Sequence, residues 1–300
     1  MKHVWMGAVA VSVLAACSGN PFLQNAGTDT GTTDPAADGI PSAIQSDLGS
    51  FSFNATTGEL TISGLTLEAD ELSATYTRKP GLDQGPYQAY TTQDNELSRH
   101  STAFVRSIDG TSAVVVVTGG QFGQYFGGAA YARTSTYDPV GSNTTPDGGL
   151  VSYAGTYVGL LNVAGDGGDL ITPTTGADPN LLPSQAAEIT GVILVNADFT
   201  DNSVNGRITN RVIPDLPAVV PEDLDLEATA IQADGTFTGN VTQAMTTRGT
   251  YGGIFGGVES AALAGALEAS DHISTLSDED EYGIFVLVQC GQPGDDPICP

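Results

Sequence analysis

The sequence predicts an all-β protein, in which an N-terminal β sheet domain precedes a soluble eight-stranded antiparallel β-barrel. Three observations predict it. Long stretches place an apolar residue or glycine at every second position, the period of a strand with one buried face. Asp109-Gly110 and Asp234-Gly235 interrupt such stretches, and Asp-Gly between two β-rich runs marks a tight hairpin. The chain carries only 15% charged residues and 38 glycines, which suits short strands and many turns better than long helices.

Residues 50–140 form the first set of strands. Gly58 to Leu67 alternates, and Leu72 to Thr77 follows it. The stretch from Lys79 to Gln93 reads as irregular. Thr102 to Ile108 and Ala113 to Thr118 flank the Asp109-Gly110 turn, and Tyr125 to Thr136 closes this half, for five or six strands. Asp138 to Gly149 is dense in chain breakers and reads as a domain boundary.

Residues 150–290 alternate more clearly. The eight runs are Val151–Leu161, Ile189–Phe199, Val204–Val212, Leu224–Ala230, Phe237–Val241, Gly249–Phe255, Leu263–Ala269 and Tyr282–Cys290. Eight antiparallel strands close into a small barrel filled by side chains. The second face of these strands carries Arg207, Arg211, Asp225 and Glu227, and so is read as wet. A membrane-spanning barrel needs an apolar outer face and aromatic girdles. The chain also ends in Cys299-Pro300 rather than in an aromatic residue, which again favours a soluble barrel.

Residues 1–16 stand outside the fold. Lys2 and His3 give a positive start, and Val4 to Ala16 is an apolar run shorter than the ~20 residues of a membrane-spanning helix. The run ends in Leu14-Ala15-Ala16-Cys17, which resembles the lipobox of bacterial lipoproteins. The resemblance implies cleavage after Ala16 and acylation of Cys17 with palmitate-type chains, where an ordinary secretory signal is the competing reading. Ser18 after the cysteine implies the outer membrane or cell surface under enterobacteria-like sorting. Each buried methylene contributes about 0.8 kcal/mol, so several chains anchor a protein that never enters the bilayer. Residues 17–49 then read as a disordered tether of Gly, Thr, Asp, Ala and Pro.

The 35 acidic and 9 basic residues, net −26, exclude nucleic acid as a partner, because no basic patch exists to displace counterions. With Cys17 spent on lipid, Cys290 and Cys299 remain in an oxidising compartment, and a disulfide that ties the 291–300 tail to the last strand is favoured over two free thiols.

The segment Gly252-Gly253-Ile254-Phe255-Gly256-Gly257-Val258-Glu259-Ser260-Ala261-Ala262-Leu263-Ala264-Gly265 resembles a motif of the transferrin-binding protein B barrels. There a strand ending in Gly-x-Phe-x-Gly is followed by a short turn and a Glu-Leu-Gly-Gly-like entry to the next strand. Phe255, Gly257, Leu263 and Gly265 fall on matching positions, while Val258 and Ala262 depart from the family's Pro and Glu. Ala197-Asp198-Phe199 and Val204-Asn205-Gly206-Arg207-Ile208 also look like a family hairpin. The resemblance, over about residues 150–290, implies an eight-stranded barrel preceded by a β handle on a lipid-anchored leash. It also implies a non-enzymatic binding protein for a protein or a haem- or iron-related ligand. The alternative is a structural envelope lipoprotein without a discrete ligand.

No catalytic constellation is found. His100 and His272 are expected at the surface, and Asp271 and His272, as strand neighbours, point to opposite faces. Asp166-Gly167-Gly168-Asp169 and Asp278-Glu279-Asp280-Glu281 read as solvated loops rather than Ca²⁺ sites, since neither has a loop spacing known to hold the ion. Gly119 to Gly128, rich in glycine and aromatics, reads as a hairpin tip and strand, with an aromatic contact loop as the alternative. No cofactor beyond the covalent lipid at Cys17 is expected, and no metal site is assigned; haem or a metal stays open without a residue that supports it.

Overall fold

A computed structural model describes residues 39–65, 73–141 and 149–300, all within one compact unit, Gly31–Pro300. The signal segment, Cys17 and most of the expected tether lie outside the described residues, as does much of the breaker-rich stretch before Gly149. Two antiparallel sheets account for the architecture.

The first sheet is a meander of seven strands in chain order: β1 (Leu48–Asn54), β2 (Glu59–Gly64), β3 (Ser73–Arg78), β4 (Gln88–Thr92), β5 (Ser101–Ile108), β6 (Thr111–Thr118) and β7 (Gly127–Arg133). This corrects the expectation of five or six. β4 lies in the stretch read as irregular, where Ala89, Tyr90 and Thr91 are all buried, so no alternation betrays it. β1 begins where the tether was expected to run on. A turn of helix, α1 (Ser42–Gln45), precedes it and buries Ile44 completely. The hydrophobic residues Ile44, Leu48, Phe51 and Phe53 have a core to enter, so residues 42–49, expected in the tether, belong to the folded body.

The second sheet is a closed barrel of eight strands: β8 (Leu150–Ala164), β9 (Ala186–Asp198), β10 (Ser203–Val212), β11 (Leu224–Ala230), β12 (Thr236–Gln243), β13 (Thr246–Gly256), β14 (Ala262–Ser270) and β15 (Asp280–Val288). Each strand pairs with its chain neighbour, and β15 returns to pair with β8, as in an up-and-down barrel. The turns obey their residues. Asp109-Gly110 and Asn202 adopt positive φ, and Gly235 reaches φ 80 in the Asp234-Gly235 turn.

Side chains fill the barrel. Tyr153, Tyr157, Phe237, Tyr251, Phe255 and Phe285 occupy its centre with Ile193, Leu226, Leu263 and Leu267. Glycines opposite the rings make the room. A Cβ on Gly265 would lie 2.2 Å from Phe285 Cζ, and one on Gly253 would lie 2.4 Å from Phe237 Cζ. These two glycines face each other across β13 and β14.

The handle sheet lies against the outside of this barrel. Val115 and Val117 of β6 and Ala129 and Tyr131 of β7 pack on Ile254, Ala264, Ala266, Ile284 and Val286 of β13 to β15. The barrel wall is therefore dry on that side, and β14 and β15 are buried on both faces over most of their length. The other face of the handle encloses its own core, with Phe51, Phe53, Leu60, Tyr90, Val105 and Val114.

Arg211 breaks the expected alternation. Its neighbours Arg207, Asp225 and Glu227 do face water, but Arg211 is buried and Val212 is exposed. A β-bulge between Thr209 and Val212, with Asn210 at φ 52, inserts an extra residue and turns the strand over, so Arg211 enters the barrel.

The glycine at 265 supplies a direct test. Gly265→Ala is expected to destabilise the fold by about 1–3 kcal/mol through overpacking against Phe285. A urea midpoint equal to that of the parent would show that the ring does not sit where described.

Candidate functional site

Strand direction sorts the loops. In an up-and-down barrel alternate connections share one rim. The rim reached by the ends of β8, β10, β12 and β14 carries loop 165–185, loop 213–223, the two-residue turn Ala244-Met245 and loop 271–279. The opposite rim has tight turns and the C-terminal tail, where Cys290 and Cys299 are joined in a disulfide.

Asp169 ties loop 165–185 to the handle. Its carboxylate accepts from Lys79 Nζ at 2.7 Å and Thr91 Oγ1 at 2.7 Å, and lies 3.1 Å from His100 Nε2. Burial alone would raise the pKa of Asp169, but these three partners outweigh it and hold the carboxyl below its usual range. His100 is thus not a surface residue. It is 1% exposed, and burial lowers its pKa against the pull of Asp169. Its sequence neighbours gave no sign of this, since its partner lies 69 residues away. Further ties run from Ile171 N to Gln93 Oε1, from Gly120 N to Ser184 Oγ and from Gln121 Nε2 to the carbonyls of Leu97 and Leu181. Handle loops 93–100 and 119–126 therefore join barrel loop 165–185 in one surface.

That surface carries bare apolar tips. Phe122 is 69% exposed at the end of the β6–β7 connection, with φ 55, and Met245 is 96% exposed with φ 67. Ala244 beside it has φ 47. Two-residue hairpins favour Asn-Gly or Gly because both central residues take positive φ. Ala-Met in that place costs about 1–3 kcal/mol of backbone strain for each residue so held. Val220, also exposed, lies on the adjacent loop. Arg99 braces the Phe122 loop by donating to the carbonyls of Gly119 and Gln124, and its guanidinium lies 5.0 Å from the Phe126 ring centroid. Gly119 to Gly128 is thus a hairpin connection with an aromatic tip, which joins the two readings given to it from sequence.

Beneath the rim lies a buried polar network. Arg211 donates to Glu281, and both side chains are fully buried. Tyr157 donates to the same carboxylate. Burial would raise the pKa of Glu281, but the nearby charges of Arg211 and His272, with the Tyr157 hydroxyl, hold it at about 2. Glu279 and His272 are also buried, at 1% exposure each. The reading of Asp278 to Glu281 as a solvated loop is corrected here: β15 starts within it, and its alternation sends Glu279 and Glu281 inward. His272 is likewise internal.

A second carboxyl sits at the handle junction. Glu188 is 5% exposed and accepts from Gln84 Nε2 of the handle at 2.6 Å. Burial raises its pKa from 4.5 to about 7, Gln84 partly offsets this, and Asp215 and Asp166 add to the rise. Between those two values the folded chain keeps a proton that the unfolded chain has released. Stability should therefore fall as pH rises through this window.

Among the described residues no group of three or more His, Cys, Asp or Glu side chains is arranged to hold a metal ion. No described helix is long and apolar enough to cross a membrane. Phe255 pairs with Leu263 in the barrel core, Gly257 makes the turn at φ 74, and Gly265 lies under Phe285. Cys17 and Ala16 lie outside the described residues.

Glu188→Gln is expected to raise stability at pH 8 by about 1–3 kcal/mol and to flatten its dependence between pH 5 and 8. Urea denaturation across that range measures it, and an unchanged slope would show that Glu188 holds no excess proton.

No family model matches the sequence, and no curated protein matches it. Solved structures of transferrin-binding protein B do. One is intact Ap-TbpB with its N and C lobes, at 12% identity and TM-score 0.38, covering 81% of this chain and 54% of that one. Another is the isotype 1 protein from serogroup B Neisseria meningitidis, at 14% identity and TM-score 0.36, covering 80% and 52%. A third is a mutant of the Haemophilus parasuis Hp5 vaccine antigen, at 10% identity and TM-score 0.35, covering 81% and 53%. The chain spans about half the length of the structures it matches.

Proposed function

We propose that this chain is an exported bacterial lipoprotein, acylated at Cys17, that binds a protein partner outside the cell membrane without catalysing a reaction. The observation that carries the reading is the rim itself: handle loops are braced to barrel loop 165–185, and exposed tips on the Phe122 loop and on the neighbouring barrel loops, at Val220 and Met245, are apolar. Rigid apolar tips lose little entropy when a partner covers them. The net charge of −26 fits a partner with a basic surface, steered by complementary potential. A haem- or iron-related small ligand fits less well, because six aromatic rings already fill the barrel. The lipid reading rests on the Leu14-to-Cys17 motif and on the apolar run before it.

Two experiments test this reading. Cys17→Ser should move the protein from washed vesicles into the soluble fraction, whereas continued retention would contradict the anchor. Phe122→Ser combined with Met245→Gly should weaken capture of the protein that the parent draws from growth medium or serum by at least tenfold. Gly at 245 relieves a positive φ, so the fold should not lose stability in exchange. Equal capture by parent and variant, or none by the parent, would favour a structural envelope role instead.

A further inference from the structure

The loop that closes the barrel mouth ends in a histidine with an acid at each ring nitrogen. His272 follows Asp271, whose φ of 51 turns the chain sharply at the end of β14. The turn folds loop 271–279 inward and buries His272 and Ile273. His272 Nε2 lies 3.1 Å from Glu281 Oε2, and Nδ1 lies 3.7 Å from Glu279 Oε1. These are ion-pair contacts rather than aligned hydrogen bonds.

Every neighbouring element supplies something to the ring's surroundings. Tyr157 of β8 and Arg211 of β10 hold Glu281. Arg211 also donates to the Glu222 carbonyl at 2.6 Å, which ties in loop 213–223. Gln243 of β12 donates to the His272 carbonyl. Glu279 accepts from Ile273 N at 2.6 Å, which closes the loop on itself. The carboxylates of Glu222 and of Glu268 on β14 complete the ionisable groups whose charge reaches the ring.

The charges decide the ring's state. Glu279 and Glu281 bring two negative charges into a closed space and Arg211 one positive. A neutral imidazole has a bare lone pair on one nitrogen, which here would face a carboxylate, and it would leave one negative charge uncompensated. An imidazolium has a proton on each nitrogen and, with both carboxyls ionised, brings the four buried groups Arg211, His272, Glu279 and Glu281 to neutrality. Uncompensated buried charge costs several kcal/mol, so the difference is large on the scale of a loop's stability.

We propose that His272 carries both ring protons in the folded protein, and that this charge holds loop 271–279 in the barrel mouth as a proton-dependent plug. Loss of the second proton sets a lone pair against a carboxylate and frees the plug. Arg211 Nε and Glu279 Oε2, both buried without a hydrogen-bond partner, are the atoms positioned to take up the entering water. A proton held in the folded state is released as pH rises, so the plug loosens toward alkaline pH. The inference is independent of the lipid anchor and of any partner.

Two measurements on the full mature chain test the plug. Nitrogen NMR of the His272 ring should show two protonated nitrogens at pH 6. Amide exchange, corrected for its intrinsic pH dependence, should show protection of residues 271–279 falling at least tenfold between pH 6 and 9, while β6 stays protected. In His272→Gln the same loop should exchange fast at both pH values. If that variant fails to fold, the parent's two readouts decide the matter. A ring with one protonated nitrogen at pH 6, or loop protection that changes less than twofold in the parent, overturns the proposal.

Discussion

The seam that closes the barrel is completed by a residue from the other sheet. β8 and β15 pair from Glu281 with Leu161 to Ile284 with Val158, and then only through the bridge between Tyr153 and Gln289. In the gap between, the hydroxyl of Tyr87 from the handle accepts from Val286 N at 2.9 Å and donates to Thr156 O at 2.8 Å. One phenol thus stands in for a missing backbone bond. Arg106, also from the handle, lies 5.6 Å from that ring's centroid and donates to the Val286 carbonyl at 2.6 Å. The seam joins the first and last barrel strands, the pairing with the largest loop to close. Handle and barrel share it, which accounts physically for their forming one compact unit.

A closed eight-stranded barrel has an interior only wide enough for its own side chains. The rest of the arrangement follows from that limit. The rings of Phe237 and Phe285 need glycines across from them. The buried charges gather toward the mouth, where Arg211 and Tyr157 both donate to Glu281. The wall under the handle is dry, and the wall of β10 to β12 is wet. The loop rim braced by Asp169 and Arg99 carries the exposed apolar side chain of Phe122.

The sequence exposed the barrel well because its strands have one buried face, and a period of two survives in the letters. All eight runs read from alternation fall on β8 to β15. The handle was harder. β4 is buried on both faces for three residues in a row and shows no clean period, while β1 keeps one only over the short run Ser50-Phe51-Ser52-Phe53. Arg211 was misplaced because one bulge reverses the faces of a strand, and a bulge leaves no mark except an unremarkable Asn210. His100, His272, Glu279 and Glu281 were placed in water because their types are usually found there. His100 meets Asp169 across 69 residues and Glu281 meets Arg211 across 70, while His272 and Glu279 are turned inward by the loop between them, and no local pattern encodes either. Phe122 and Met245 gave a weak signal: an apolar residue where a turn prefers glycine or asparagine.

The most direct test of this account is Tyr87→Phe, which removes one oxygen and leaves the ring. It should strand the Val286 amide and the Thr156 carbonyl inside the seam, at a cost of about 2–4 kcal/mol. Exchange of the Val286 amide should accelerate, and handle and barrel should still unfold in a single transition at lower urea. A variant with parental stability and an equally protected Val286 amide would contradict the claim that the handle completes the barrel.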